Sequence, residues 1–145
     1  MKKLLLSTIV SLLLNFSFSY QPVTYREIYF AFENSLSVDI ISTVVTNVDA
    51  FDWPDPNGPL LEFQDLEVPA KGAVNITAKC NREVEWLPFT MTHAFSDGTR
   101  AKFRYYLKVV EPFDYYRHIL DGNRDVDIGL LHRYYDAVSA YLTIK

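Results

Sequence analysis

Apolar and polar residues alternate with period two along most of this chain. In Tyr25–Asn34, Ile28, Phe30 and Phe32 fall on one side, while Glu27, Tyr29 and Ala31 take the other. That pattern predicts a half-buried strand. Asn34-Ser35 offers a turn, and the β-branched run Val38–Val45 predicts the returning strand. Three prolines and a glycine between Phe51 and Pro59 exclude regular structure and predict a long loop carrying Trp53. Leu60–Phe63 reads as a short strand or edge, and Val68–Gly72 as a tight turn. Val74, Ile76 and Ala78 then alternate with Asn75, Thr77 and Lys79.

The clearest hairpin lies in the centre. Phe89, Met91, His93 and Phe95 alternate with Thr90, Thr92 and Ala94, and Asp97-Gly98 supplies the turn. Phe103, Tyr105, Leu107 and Val109 then alternate with Lys102, Arg104, Tyr106 and Lys108. Pro112 ends that strand. Phe113–Leu120 reads as an extended loop or a short helix, Asp121-Gly122-Asn123 as a turn, and Val138–Ile144 as the last strand. There is no internal repeat, linker or amphipathic helix of useful length. Many short alternating strands predict an all-β chain folded as a single antiparallel β-sandwich.

The N-terminal residues read differently. Lys2 and Lys3 precede the apolar run Leu4–Leu14, and Ser17 and Ser19 have the small-residue spacing of a signal-peptidase site. The run is shorter than the ~20 residues that span a bilayer. Residues 1–19 are therefore expected to be a cleaved signal peptide and 20–145 a secreted domain. Removing 19 of the 145 residues leaves 126, one core's worth of chain. Two of the 14 basic residues go with the signal, and 12 against 18 acidic residues gives a net charge of −6. Acidity of that order argues against non-specific nucleic-acid binding. Cys80 is the sole cysteine, so no internal disulfide can staple the fold, and a buried apolar role is expected for it. Asn75-Ile76-Thr77 is an N-glycosylation sequon.

Candidate chemistry rests on the aromatics, 15% of the residues. Tyrosines come in three adjacent pairs, Tyr105–Tyr106, Tyr115–Tyr116 and Tyr134–Tyr135, with Arg104, Arg117, His118, His132 and Arg133 beside them. In a strand one member of each pair faces inward and the other outward. Exposed Tyr beside Arg suits a phospholipid headgroup, through phosphate–guanidinium pairing and a ring cage for a choline-like cation. It suits equally a sugar stacked on the rings, or no small ligand at all. Trp53 and Trp86 are candidate membrane anchors, because indole partitions to the interface, or loop residues packed on the core. The histidines 93, 118 and 132 are scattered, and no catalytic or cofactor signature appears. Asp121–Asp127 is similar to the start of a calcium loop, but Val126 stands where that loop has glycine and His132 where it has glutamate. No resident metal is expected from it.

The order Phe32-Glu33-Asn34-Ser35, Val68-Pro69-Ala70-Lys71-Gly72, Cys80, Phe95-Ser96-Asp97-Gly98-Thr99 and Glu111-Pro112-Phe113-Asp114-Tyr115-Tyr116 resembles the aegerolysins, the actinoporin-like cytolysins and the fungal fruit-body lectins. These are small β-sandwiches. The resemblance covers roughly Ile28 to Leu120. It implies a non-enzymatic lipid- or glycan-binding module whose ligand region holds Tyr105, Pro112, Tyr115 and Tyr116, to which the pairing of exposed Tyr with Arg adds the adjacent Arg117. Actinoporins carry an amphipathic N-terminal helix and a tryptophan-bearing Pro-aromatic loop, and this chain has neither. The expected partner is thus a membrane-lipid headgroup, with a glycan or a protein partner as the alternatives. Net acidity points to a zwitterionic headgroup.

Overall fold

The computed structural model describes residues 24–55 and 58–145. The expected signal peptide lies outside the described residues. Eight strands form: β1 Tyr25–Asn34, β2 Ile40–Thr46, β3 Ala73–Asn81, β4 Trp86–Phe95, β5 Arg100–Lys108, β6 Asp114–Asp121, β7 Val126–His132 and β8 Val138–Ile144. They make two four-stranded sheets, ordered β3-β1-β8-β7 and β2-β4-β5-β6. No helix among the described residues is long and apolar enough to cross a membrane.

Alternation dictates which side of each strand is dry. On β1, Arg26, Ile28, Phe30, Phe32 and Asn34 are buried. On β5, Ala101, Phe103, Tyr105 and Leu107 are buried. The two inner faces meet through aromatic rings, with Phe30 of β1 lying 6.1 Å edge-on to Phe89 of β4. Phe89 also stacks on Tyr105 at 4.9 Å. Burying such a side chain contributes roughly 1.5–3 kcal/mol, so this cluster, without any disulfide, sustains the fold. Cys80 belongs to it: the thiol is fully buried, and burial pushes its pKa up to about 11.

Four expectations are corrected. The pair β1–β8 is parallel, with Ile28 beside Val138 and Asn34 beside Ile144; the rest of the pairing is antiparallel. Two consecutive turns, β6–β7 and β7–β8, bring the last strand back alongside the first in the same direction. Leu61–Phe63 forms a short 3-10 turn instead of a strand, driving Phe63 into the core. Gln64 then bonds both the N–H and the carbonyl of Val45, at 3.2 and 3.0 Å, as a neighbouring strand would. Phe113–Leu120 is neither loop nor helix; it supplies most of β6, paired along β5. The β7 strand was not anticipated at all.

His93 sits in this core with its Nδ1 3.0 Å from Thr43 Oγ1. Burial lowers its pKa to about 4, which keeps the ring neutral at neutral pH.

Candidate functional site

The residues singled out in the sequence do not converge. Tyr105 is wholly buried against Phe89 and Phe103 and meets no solvent. It is a core residue and, contrary to expectation, cannot touch a ligand. Trp53 is likewise buried, packed at 6.0 Å from Phe30 and 5.6 Å from Phe89, so it cannot anchor in a membrane. Pro112 is exposed in the β5–β6 connection. Tyr115 and Tyr116 are both exposed because β6 is an edge strand wet on both faces. They point opposite ways: Tyr116 pairs with the outward Tyr106, whereas Tyr115 pairs with the inward Leu107.

Tyr116 is also occupied. Tyr106 stacks on it at 4.5 Å and 18°, and Trp86 tilts against it at 5.6 Å. Arg104 lies 5.4 Å from the Tyr106 centroid. This cross-strand ladder uses the ring faces that a sugar would need, and it holds Trp86 in place. Arg117 is bound by both oxygens of Asp125 at 2.7 Å each, which draws the Asp125 carboxyl down to about 2. Asp127 holds Lys145 at 2.8 Å. Two of the acids that suggested a calcium loop therefore already have cationic partners. No group of three potential metal ligands occurs among the described residues.

A different site is assembled at the start of β1. Antiparallel pairing sets Tyr25 beside Asn81, Arg26 beside Cys80 and Glu27 beside Lys79. The chain leaves β3 through Arg82, while the β7–β8 connection brings Arg133, Tyr134 and Tyr135 across the same end. These segments enclose a cavity of about 560 Å³. Its walls are almost wholly cationic and aromatic.

Arg26 is the unusual member. It occupies the inward phase of β1, with its side chain only 7% exposed. Its Nη2 donates to Asp136 Oδ2 at 3.5 Å, and Nη1 has no partner among the described residues. Arg82 Nη1 donates to the same Asp136 oxygen at 3.0 Å. Asp136 can reach both only because Tyr135 and Asp136 adopt left-handed backbone, with φ of 58° and 69°. Two successive non-glycine residues in that region cost on the order of 1–3 kcal/mol each. Glu27, the other carboxylate, accepts the Tyr29 hydroxyl at 2.6 Å. Lys79 lies 5.6 Å from the Tyr25 centroid and Arg133 5.7 Å from that of Tyr29.

Four cations (Arg26, Lys79, Arg82 and Arg133) thus face two carboxylates, Glu27 and Asp136, an excess of two positive charges in an otherwise acidic protein. A buried, incompletely paired guanidinium that lines a cavity is a ready anion receptor. Tyr134 and Tyr135 stand at its rim, 81% and 84% exposed. A second cavity of about 250 Å³ adjoins the first on the outer face of β3-β1-β8, sharing Tyr29 and Arg133 with it. Asn75 is exposed on β3 and lines that smaller cavity.

Arg133 and the Tyr134–Tyr135 pair were noticed in the sequence without being given the site, and Arg26 and Arg82 were missed. One signal was available: Arg26 continues the buried phase of Ile28, Phe30 and Phe32, and a charged residue there calls for a special partner. Comparison of the chain with protein-family models and with curated proteins finds no match.

Proposed function

We propose that this chain is a secreted, non-enzymatic module that binds the phosphate-bearing headgroup of a membrane lipid in the Arg26 cavity. The observation that carries the reading is the Arg26 guanidinium, buried and incompletely paired, beside Arg82 and Arg133. A phosphate has the acceptor oxygens to pair with the Arg26 guanidinium and share the other two arginines. The exposed Tyr134 and Tyr135 rings suit the water–lipid boundary, being apolar with a polar tip. Phe51, 62% exposed, is carried to the same end by the loop whose Asp52 carbonyl accepts the Asn81 N–H at 2.9 Å. The signal-like first 19 residues support secretion.

The local charge, unlike the net charge, favours an anionic headgroup over a zwitterionic one. Tyr25 and Tyr29 already face Lys79 and Arg133, which leaves them poorly placed to cage a choline. Vesicle co-sedimentation tests the proposal. Phosphatidylcholine vesicles containing phosphatidic acid should pellet the protein, and pure phosphatidylcholine should not. Arg82→Gln and Arg133→Gln, both at exposed positions, should each abolish pelleting. Equal pelleting of the wild type and both variants would refute the placement of the site.

A further inference from the structure

The smaller cavity has a chemistry of its own. On the outer face of the sheet, β1 and β8 set Tyr29 beside Ser139 and Ala31 beside Tyr141. Across β1 from them, β3 sets Thr77 beside Tyr29 and Asn75 beside Ala31. Asn75, Thr77, Ser139 and Tyr141 all line the cavity. Ser139 is 3% exposed, yet its Oγ has no hydrogen-bond partner among the described residues. A hydroxyl so placed costs on the order of 1–3 kcal/mol until something bonds it. Beside it stands the ring of Tyr141, 41% exposed and in contact with no other aromatic ring among the described residues. The charged groups of the larger cavity do not extend here, apart from Arg133 at the junction.

Neutral donors and acceptors next to an open aromatic ring recognise a polyol, whose hydroxyls bond the polar groups while its C–H face rests on the ring. A volume of about 250 Å³ is roughly the liquid share of eight waters. That accommodates one six-membered ring with its hydroxyls, and excludes a disaccharide. Because the two cavities share Tyr29 and Arg133, one ligand can fill both. Resting on the headgroup reading above, we infer that the lipid is one whose phosphate bears a cyclic polyol, of the phosphatidylinositol type. The phosphate sits among Arg26, Arg82 and Arg133. The ring lies over Tyr141 within reach of Ser139, Thr77 and an unglycosylated Asn75, so every protein in the test is produced without glycan.

Charge alone predicts the opposite ranking, which makes the inference testable. Phosphatidic acid carries at least as much negative charge as phosphatidylinositol and has no ring. Co-sedimentation with phosphatidylcholine vesicles doped equally with one or the other should favour phosphatidylinositol by about tenfold, the effect of one or two additional hydrogen bonds. Ser139→Ala and Tyr141→Ala should each shrink that preference about fivefold. Thr77→Val, at an exposed strand position that tolerates a β-branched residue, repeats the test should either variant melt early. Soluble inositol monophosphate should compete, and free inositol should not. Equal or weaker binding to phosphatidylinositol, with both lipids above phosphatidylcholine, would overturn the polyol inference and leave the headgroup reading standing. No binding to either doped vesicle would overturn both. Binding of inositol monophosphate without binding to vesicles would overturn the lipid source, and with it both.

Discussion

Replacing Arg26 with methionine separates a ligand site from a structural ion pair. Arg26→Met keeps most of the length of the side chain and all of its β1 pairing, and removes only the guanidinium. Two quantities decide the effect on stability. The unpartnered Nη1 of a side chain 7% exposed represents a desolvation cost on the order of 1–3 kcal/mol. Against it stands a 3.5 Å contact with Asp136, a carboxylate 42% exposed. A pair that long and that wet is worth about 0–1 kcal/mol. The apolar residue also gains contacts beside the buried Cys80. The balance favours methionine by about 1–2 kcal/mol, in keeping with the frequent gain when partly satisfied buried charges give way to apolar side chains. For a domain of this length the midpoint should rise by roughly 3–8 °C. Thermal and urea unfolding followed by circular dichroism would measure it, alongside vesicle pelleting. The expected outcome is a more stable protein that no longer pellets. A variant that loses more than about 1 kcal/mol yet still binds vesicles would refute the reasoning, because Arg26 would then be serving the fold alone.

Further outcomes follow from the same geometry. The pKa of His93 is low in the folded state and ordinary in the unfolded chain, so the unfolded state binds the extra proton as pH falls from about 6.5 to about 4. Stability should decline through that window by up to about 1.4 kcal/mol per pH unit and level off below it; pH-dependent urea melts check this, and His93→Gln should flatten the slope. Trp53→Ala should cost about 3–5 kcal/mol by opening a core cavity, measured by the same melts, without changing vesicle affinity in a variant that remains folded. Tyr116→Ala should cost about 0.5–1.5 kcal/mol through loss of the Tyr106 and Trp86 contacts and leave pelleting intact. Vesicle binding should weaken steeply as salt rises from low to high, since the cavity's excess charge is partly open to solvent; a salt-independent isotherm would speak against an anionic ligand.

Strands with one dry face were legible from the chain. β1 spans the segment that alternation marked, and the β4–β5 hairpin turns at Asp97-Gly98, where Gly98 has a φ of 84° and Asp97 Oδ1 accepts the Thr99 N–H at 3.0 Å. β6 was not legible, because an edge strand exposed on both faces imposes no alternation: Tyr115, Tyr116, Ile119 and Leu120 are all wet. β7 hid behind the acids that suggested a calcium loop. Its Val126 and Ile128 are buried, but Leu131 and His132 beyond them are exposed, so the pattern is too short to stand out. The parallel β1–β8 pair is a long-range match that no local pattern encodes. Of the doubled tyrosines only Tyr105 and Tyr106 divide between a buried and an exposed face; Tyr115 and Tyr116 lie on a strand wet on both sides, and Tyr134 and Tyr135 lie in a 3-10 turn, so both members of these pairs are exposed. The cavity unites residues from 25–29, 79–82 and 133–137, and only the folded sheet brings them together.

The central claim is that the cationic cavity at the start of β1 receives the ligand, while the doubled tyrosines of β5 and β6 do not. Amide and arginine side-chain NMR of the protein titrated with inositol monophosphate tests it most directly. A ligand held in this cavity shifts Arg26 Nε, Arg82 and residues 133–136 and leaves Tyr115, Tyr116 and Arg117 unmoved. Shifts confined to Tyr115, Tyr116 and Arg117 would contradict it.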